Sequence, residues 1–207
     1  MQFPLFVVLL FCALFTRASC LPADAGWQIR KSDNQVKVYV REVDNTFEIL
    51  AITQVESSPE AFLSLLRDTD KSPDWIHKAS KVTLLEQPAP DQDLVHTVFD
   101  APWPVQDRDM VTLSHIVRVP QSNEVKIRIS DAGNQHPPAP DRVRMKNVSG
   151  LWRLLPQNTH TLICYQGSGD AAGSVPDWLS RSLLVSGTYN SFINLAKELE
   201  QRDSQNE

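Results

Sequence analysis

Five histidines, at positions 77, 96, 115, 136 and 160, are the side chains of this sequence best able to bind a metal or move a proton near neutral pH. None belongs to a His-x-x-x-His or comparable cluster, so no metal centre is expected. Gly167-Ser168-Gly169 lacks the spacing of a hydrolase elbow, in which each glycine stands two residues from the nucleophile. Asp68/Asp70 and Asp91/Asp93 read as turn or cap residues, and a glycosidase carboxylate pair would depend on a separation that only geometry gives. Cys164, between Ile163 and Tyr165, has no neighbour that would lower its thiol pKa. There is no phosphate-binding glycine loop. No catalytic set, metal site or cofactor is therefore expected.

The most informative stretch is Ala101-Pro102-Trp103-Pro104-Val105-Gln106-Asp107-Arg108-Asp109. Two prolines fix φ and withhold donors, so Trp103 stands at a bend rather than inside a paired strand. Three charges then meet the start of an apolar-rich strand, where each must be exposed or paired. The expectation is that Arg108 pairs with an acidic residue and that Trp103 packs as an anchor. His115, further along this strand, reads as a core histidine or a polar group facing a cavity.

The elements around this stretch are those of one domain. The 207 residues, 42% hydrophobic, suffice for a full core, and the net charge of −5 argues against a nucleic-acid partner. Phe3 to Phe15 is an apolar run of about 13 residues, too short for the roughly 20 of a bilayer span but suited to a signal-peptide core. Cleavage after Cys20 or as late as Ala25 fits the small residues there, giving a signal peptide over 1–20, a domain over 26–201 and a polar tail over 202–207. Cys20 could instead be lipidated, although Arg17 stands where a lipobox wants an aliphatic residue. Export, periplasmic or extracellular, would leave Cys164 as a lone buried thiol.

Val36–Arg41 and Phe47–Val55 alternate with period two and predict a hairpin around Asp44-Asn45. Ser57-Ser58-Pro59-Glu60 predicts a helix start with a Ser57 cap, and Ser72-Pro73 starts a short second helix carrying Trp75. Strands follow at 81–86, 94–99, 109–119, 125–130, 142–148, 151–155 and 159–166. If the strands bearing Lys126 and Arg128 and those bearing Arg142, Arg144 and Lys146 pair, they form a cationic face for anionic head groups. A last helix from about Val175 to Gln201 carries Trp178, Leu184, Val185, Tyr189, Phe192, Ile193, Ala196 and Leu199, a stripe wider than a surface helix needs. Such a helix must be gripped by something concave, and the strands are the candidate.

Several segments resemble the START domains, the lipid-transfer family related to the steroidogenic acute regulatory protein. They are Gly26-Trp27 into Val36–Arg41, Ser58–Asp68, Asp74-Trp75, the Ala101–Val111 string, Asp141–Arg144, Gly150–Pro156 and Asp170–Leu179. Ala171-Ala172 and Ser180-Arg181 depart from the family's usual proline and asparagine. The resemblance implies an α+β helix-grip fold: a curved antiparallel β-sheet wrapped around the C-terminal helix, with an internal hydrophobic tunnel. It implies a non-enzymatic, monomeric carrier of one lipid, such as a sterol, fatty acid or phospholipid, with transient membrane contact. The expected ligand-binding residues are Trp75, Trp103, Arg108, His115, Val175, Pro176, Trp178, Leu184, Val185, Tyr189 and Phe192. The alternative is a cyclase or hydrolase on the same architecture, which would need polar groups converging inside the cavity. A third is an interaction protein with an exposed apolar groove. Moving a methylene from water into an apolar site gains about 0.8 kcal/mol, and a bilayer offers nearly the same, so such a carrier shortens exposure to water rather than driving transfer.

Overall fold

A computed structural model describes residues 20, 21 and 26–204, so all but the last residue of the signal peptide expected over 1–20, and the end of the expected tail, lie outside the described residues. Ten strands form one sheet in the order β1-β2-β3-β10-β9-β7-β6-β5-β4. They are β1 (Gln28–Ser32), β2 (Val36–Val43), β3 (Thr46–Val55), β4 (Ala79–Ala89), β5 (Gln92–Phe99), β6 (Arg108–Val119), β7 (Glu124–Asp131), β8 (Val143–Arg144), β9 (Lys146–Gln157) and β10 (His160–Asp170). All pairs in that path are antiparallel, while β8 adds to β6 in parallel. Helices α1 (Pro59–Arg67) and α2 (Ser72–Trp75) follow β3, and α3 (Asp177–Ser204) closes the chain. This is the antiparallel sheet and long terminal helix that the resemblance implied.

Local chemistry explains the joints. Asp44 and Asn45 turn the β2–β3 hairpin with φ of 49° and 62°, the left-handed pair that a two-residue hairpin requires. The α1 cap is Ser58, not Ser57: Ser58 Oγ accepts from the Ala61 N–H at 3.1 Å, with Pro59 opening the helix. Ser57 instead offers its carbonyl to the Thr161 hydroxyl at 2.5 Å, which ties the α1 entry to β10.

Three expectations are corrected. The strand at 142–148 is a two-residue β8 followed by a long β9 that runs straight through Ser149-Gly150. Gly150 lies opposite Ile129 and Gly167, so those residues continue the ladder rather than turn. The expected pairing of Lys126 and Arg128 with Arg142, Arg144 and Lys146 does not form, because β7 pairs with the 149–154 part of β9 and Arg144 lies on β8 beside β6. Glu124 bonds Arg153 at 2.5 Å and lies 3.6 Å from Lys126. Third, Cys164 is not a lone thiol. It is bonded to Cys20, with the two Cα atoms 5.9 Å apart.

The core lies between the sheet and the helices. Val36, Val38, Val40, Ile49, Ala51 and Val55 of β2 and β3 meet Phe62, Leu65, Phe192, Leu195, Ala196 and Leu199 of the helices, all buried. Trp152 joins them, with ring centroids 5.0 Å from Phe62, 5.6 Å from Phe192 and 4.6 Å from Tyr165. Such aromatic contacts add to plain area burial.

Candidate functional site

Pairing fixes which residues share the face toward α3. Ile127 belongs to the core with Phe192, and Ile116 lies opposite Ile127, so alternation along β6 puts Ser114, Thr112, Met110 and Arg108 on the inner face. Across β5 and β4 the same face carries Val95, Thr97, Phe99 and Leu84. This wing differs from β2 and β3. Val95, Phe99 and Met110 stay half-buried and Leu84 is 45% exposed, whereas the inner residues of β2 and β3 are closed off. Helix α3 packs chiefly on β2 and β3 and approaches β4, β5 and β6 far less closely.

The helix is divided in the same way. From Leu184 to Ser191 every residue is half-buried, and Phe192, Leu195, Ala196 and Leu199 are then fully buried. The expected gate residues Leu184, Val185 and Tyr189 pack at the edge of the core, while Phe192 is part of it. Val175 is half-buried, Pro176 is exposed and Trp178 is 71% exposed. An open cleft of about 380 Å³ runs between α3 and the edge of the sheet, lined by Arg30, Lys31, Phe47, Trp178, Arg181 and Val185. Arg181 is held there by Glu42 through two 3.0 Å bonds and lies 5.0 Å over the Phe47 ring. Lys31 sits 4.9 Å over Tyr189, whose hydroxyl donates to Asp33 at 2.6 Å. That bond raises the Tyr189 pKa and lowers the Asp33 pKa.

Arg108 does not pair with an acid. Its guanidinium donates to the carbonyls of Ala171 and Ala172, at 3.3 Å each, and to that of Gln106. The loop into α3 turns at Ala172 (φ 53°) and Gly173 (φ 69°), where carbonyls lack ladder partners, and a planar fork of donors suits them. Arg108 therefore clasps the loop that precedes the helix to the mouth of the inner wall. Trp103 is not an anchor, since it is 93% exposed at the tip of the β5–β6 loop.

His115 faces away from the cavity side, half exposed, with its Nε2 3.0 Å from Asp91. On that outer face the buried charge belongs to Asp109. It accepts from Arg144 at 2.8 and 2.9 Å and lies 2.8 Å from His96, whose ring centre is 4.8 Å from that of His136 with the planes tilted by 37°. Burial alone would raise the Asp109 pKa, and the bonds from Arg144 and His96 outweigh it, so the carboxyl stays below its ordinary range. Arg144 also donates to the carbonyls of Gly133, His136 and Pro137, so this cluster pins the loop between β7 and β8. Trp75 is buried beside α3, and its Nε1 has no hydrogen-bond partner among the described residues.

Tyr165 was not expected as a site residue. It projects from β10 on the inner face, over the facing pair Gly150 and Gly167. A Cβ would lie 2.9 Å from its ring at Gly150 and 2.5 Å from its hydroxyl at Gly167, so only glycine leaves room for it. Burial pushes the phenol up to about 12, so it stays neutral and can donate a proton in a hydrogen bond. The two glycines opposite each other on neighbouring strands were the available signal.

A sheet that grips one long helix over part of its length, with an apolar inner wall beside it, defines a helix-grip protein. The START domain model matches residues 18–202, and the chain belongs to that family. An uncharacterized protein of Pseudomonas aeruginosa is 28% identical over 180 residues, 85% of this chain and 88% of that protein. A STAR-related lipid transfer protein fragment from Xanthomonas axonopodis superposes with a TM-score of 0.78 at 24% identity, covering 84% of this chain and 99% of that one. Human StAR-related lipid transfer protein 5 gives 0.77 at 18% identity, covering 87% and 89%. An aromatase/cyclase from Streptomyces gives 0.51 at 16% identity, covering 75% and 94%. At these identities the structural likenesses speak for the fold.

Proposed function

We propose that the protein carries one apolar small molecule, a lipid such as a sterol, fatty acid or phospholipid, against the inner wall of β4–β6 under the first half of α3, and exchanges it without chemical change. The observation that carries this reading is the apolar wall itself. Leu84, Val95, Phe99 and Met110 face inward yet keep exposed surface, at about 25 cal/mol for each Å² of apolar area left to water. A lipid laid there recovers that energy. The neutral Tyr165 hydroxyl supplies one polar contact to an otherwise apolar ligand.

The gate is the loop 171–176 with the first turns of α3. Arg108 holds it through two carbonyls, so opening breaks few bonds. Trp103 and Trp178, both exposed, support transient contact with a membrane surface, where indole rings settle. Arg30 and Lys31 in the cleft beside Trp178 complement anionic head groups. The cyclase or hydrolase alternative gains no residue from the Streptomyces likeness.

The test is mass spectrometry of organic extracts of the purified protein, with a panel of fluorescent sterols, fatty acids and phospholipids. Val185→Asp should keep the wild-type circular dichroism and lose uptake by more than tenfold, because an ionised carboxylate on the half-buried face of the gate helix costs several kcal/mol when a ligand closes over it. Unchanged uptake by Val185→Asp would remove α3 from the gate. A wild type that yields no lipid and binds nothing on the panel would end the carrier reading.

A further inference from the structure

We infer that Cys20–Cys164 is a structural disulfide of an exported mature chain, and that its leader is cut upstream of Cys20, after Ala18. Cys164 sits in the middle of β10 on the outer face, opposite Ile52 of β3 and Arg153 of β9. The Cα separation of 5.9 Å lies inside the window that a disulfide spans without backbone movement.

The bond does more than join two sulfurs. Cys20 and Cys164 pack with Leu155, Ile52 and Leu162 in a small apolar cluster of their own, on the face opposite the main core. Cys164 and Leu155 are buried, with Cys20 packed among them. Cleavage after Cys20 or after Ala25 would remove both the bond and the Cys20 side chain from this cluster, and would leave an apolar patch and a free thiol on the surface of an exported protein. Thr16-Arg17-Ala18 offers small residues in the two positions that a signal peptidase reads, one cut upstream. The same bond excludes lipidation of Cys20, since its sulfur is already used.

Formation is a balanced two-electron step. The two thiols lose two protons and two electrons as the sulfur–sulfur bond forms. The electrons pass by thiol–disulfide exchange to an oxidised dithiol protein of the export compartment, whose own disulfide opens to two thiols. Such bonds persist in oxidising compartments and are rare in the cytosol, which agrees with the short apolar run at Phe3–Phe15.

The experiment expresses the full-length chain with its own leader, traps free thiols with iodoacetamide and measures the intact mass of the exported protein. The expected species begins at Ser19, carries no alkyl group, gains two hydrogens on reduction and yields one peptide cross-linked between Cys20 and Cys164. Reduction of the wild type, or Cys20→Ser, should lower Tm by about 10 °C, because the bond closes a loop of most of the domain. A mature chain that begins at Leu21 or later, one that keeps residues 1–18, or one alkylated at both cysteines would overturn the inference. The wild-type mass decides the matter even if Cys20→Ser is not recovered.

Discussion

The two halves of α3 rest on the same sheet in different states. The second half drives Phe192, Leu195, Ala196 and Leu199 into β2, β3 and α1, and Phe192 stacks on Trp152 with the ring planes 6° apart. The first half, with Leu184, Val185 and Tyr189, lies at the edge of that core, and the helix stands further from the neighbouring β4–β6 wall than from β2 and β3. The apolar side chains are similar in the two halves. The difference comes from what lies opposite: β2 and β3 offer a continuous buried aliphatic surface, whereas the β4–β6 wing lies further from the helix. One half supplies stability, and the other supplies a surface that a ligand can complete.

Substitutions that treat the halves alike would break this contrast. Phe192→Ala should have the largest effect, about 3–5 kcal/mol from lost contacts and the cavity left behind, read from the urea midpoint. Leu184→Ala should cost less than about 1.5 kcal/mol, since the side chain is only half-buried, yet it should speed release of a bound fluorescent lipid. Equal losses of stability would mean that the first half is ordinary core.

A smaller, pH-dependent effect sharpens the contrast at the junction. The backbone N–H of His77 donates to Ser191 Oγ at 2.9 Å, and the His77 ring Nε2 lies 3.5 Å from Asn190 Nδ2. Burial, and then the nearby Lys78 charge, holds the His77 pKa below 6.5. The unfolded chain therefore takes up this proton before the folded one does. The contribution is complete above pH 6.5 and is lost as the pH falls from there toward the folded value. Asp109, also lowered in the fold, holds its contribution above its ordinary value of 3.8 and loses it only as the pH drops further. Thermal melts should fall in two steps on acidification, and His77→Gln should remove the first while leaving the second.

The alternating runs at 36–41 and 47–55, the Asp44-Asn45 turn, the proline-started helices and the wide stripe of the last helix were legible because each reports a local period or a local backbone demand. The family string at 101–111 was legible as a pattern, but the roles of its members were not. Arg108 meets carbonyls 63 and 64 residues away, and Asp109 meets Arg144 at a separation of 35, which no local pattern records. Ser149-Gly150 fell between the expected strands at 142–148 and 151–155, whereas β9 runs through both residues. The purpose of Gly150, room for Tyr165, exists only once β9 and β10 are side by side.

By itself the sequence determined the elements, their order and the need for an apolar terminal helix to be gripped by a sheet. These follow from side-chain periodicity and from the few backbone conformations that glycine, proline and asparagine select. The tertiary structure alone decided which half of that helix is core and which is open, which charges are clasps, and that Cys20 meets Cys164 across 144 residues. Those outcomes depend on strand register and sheet curvature, which sum over the whole chain and leave no mark at any single position.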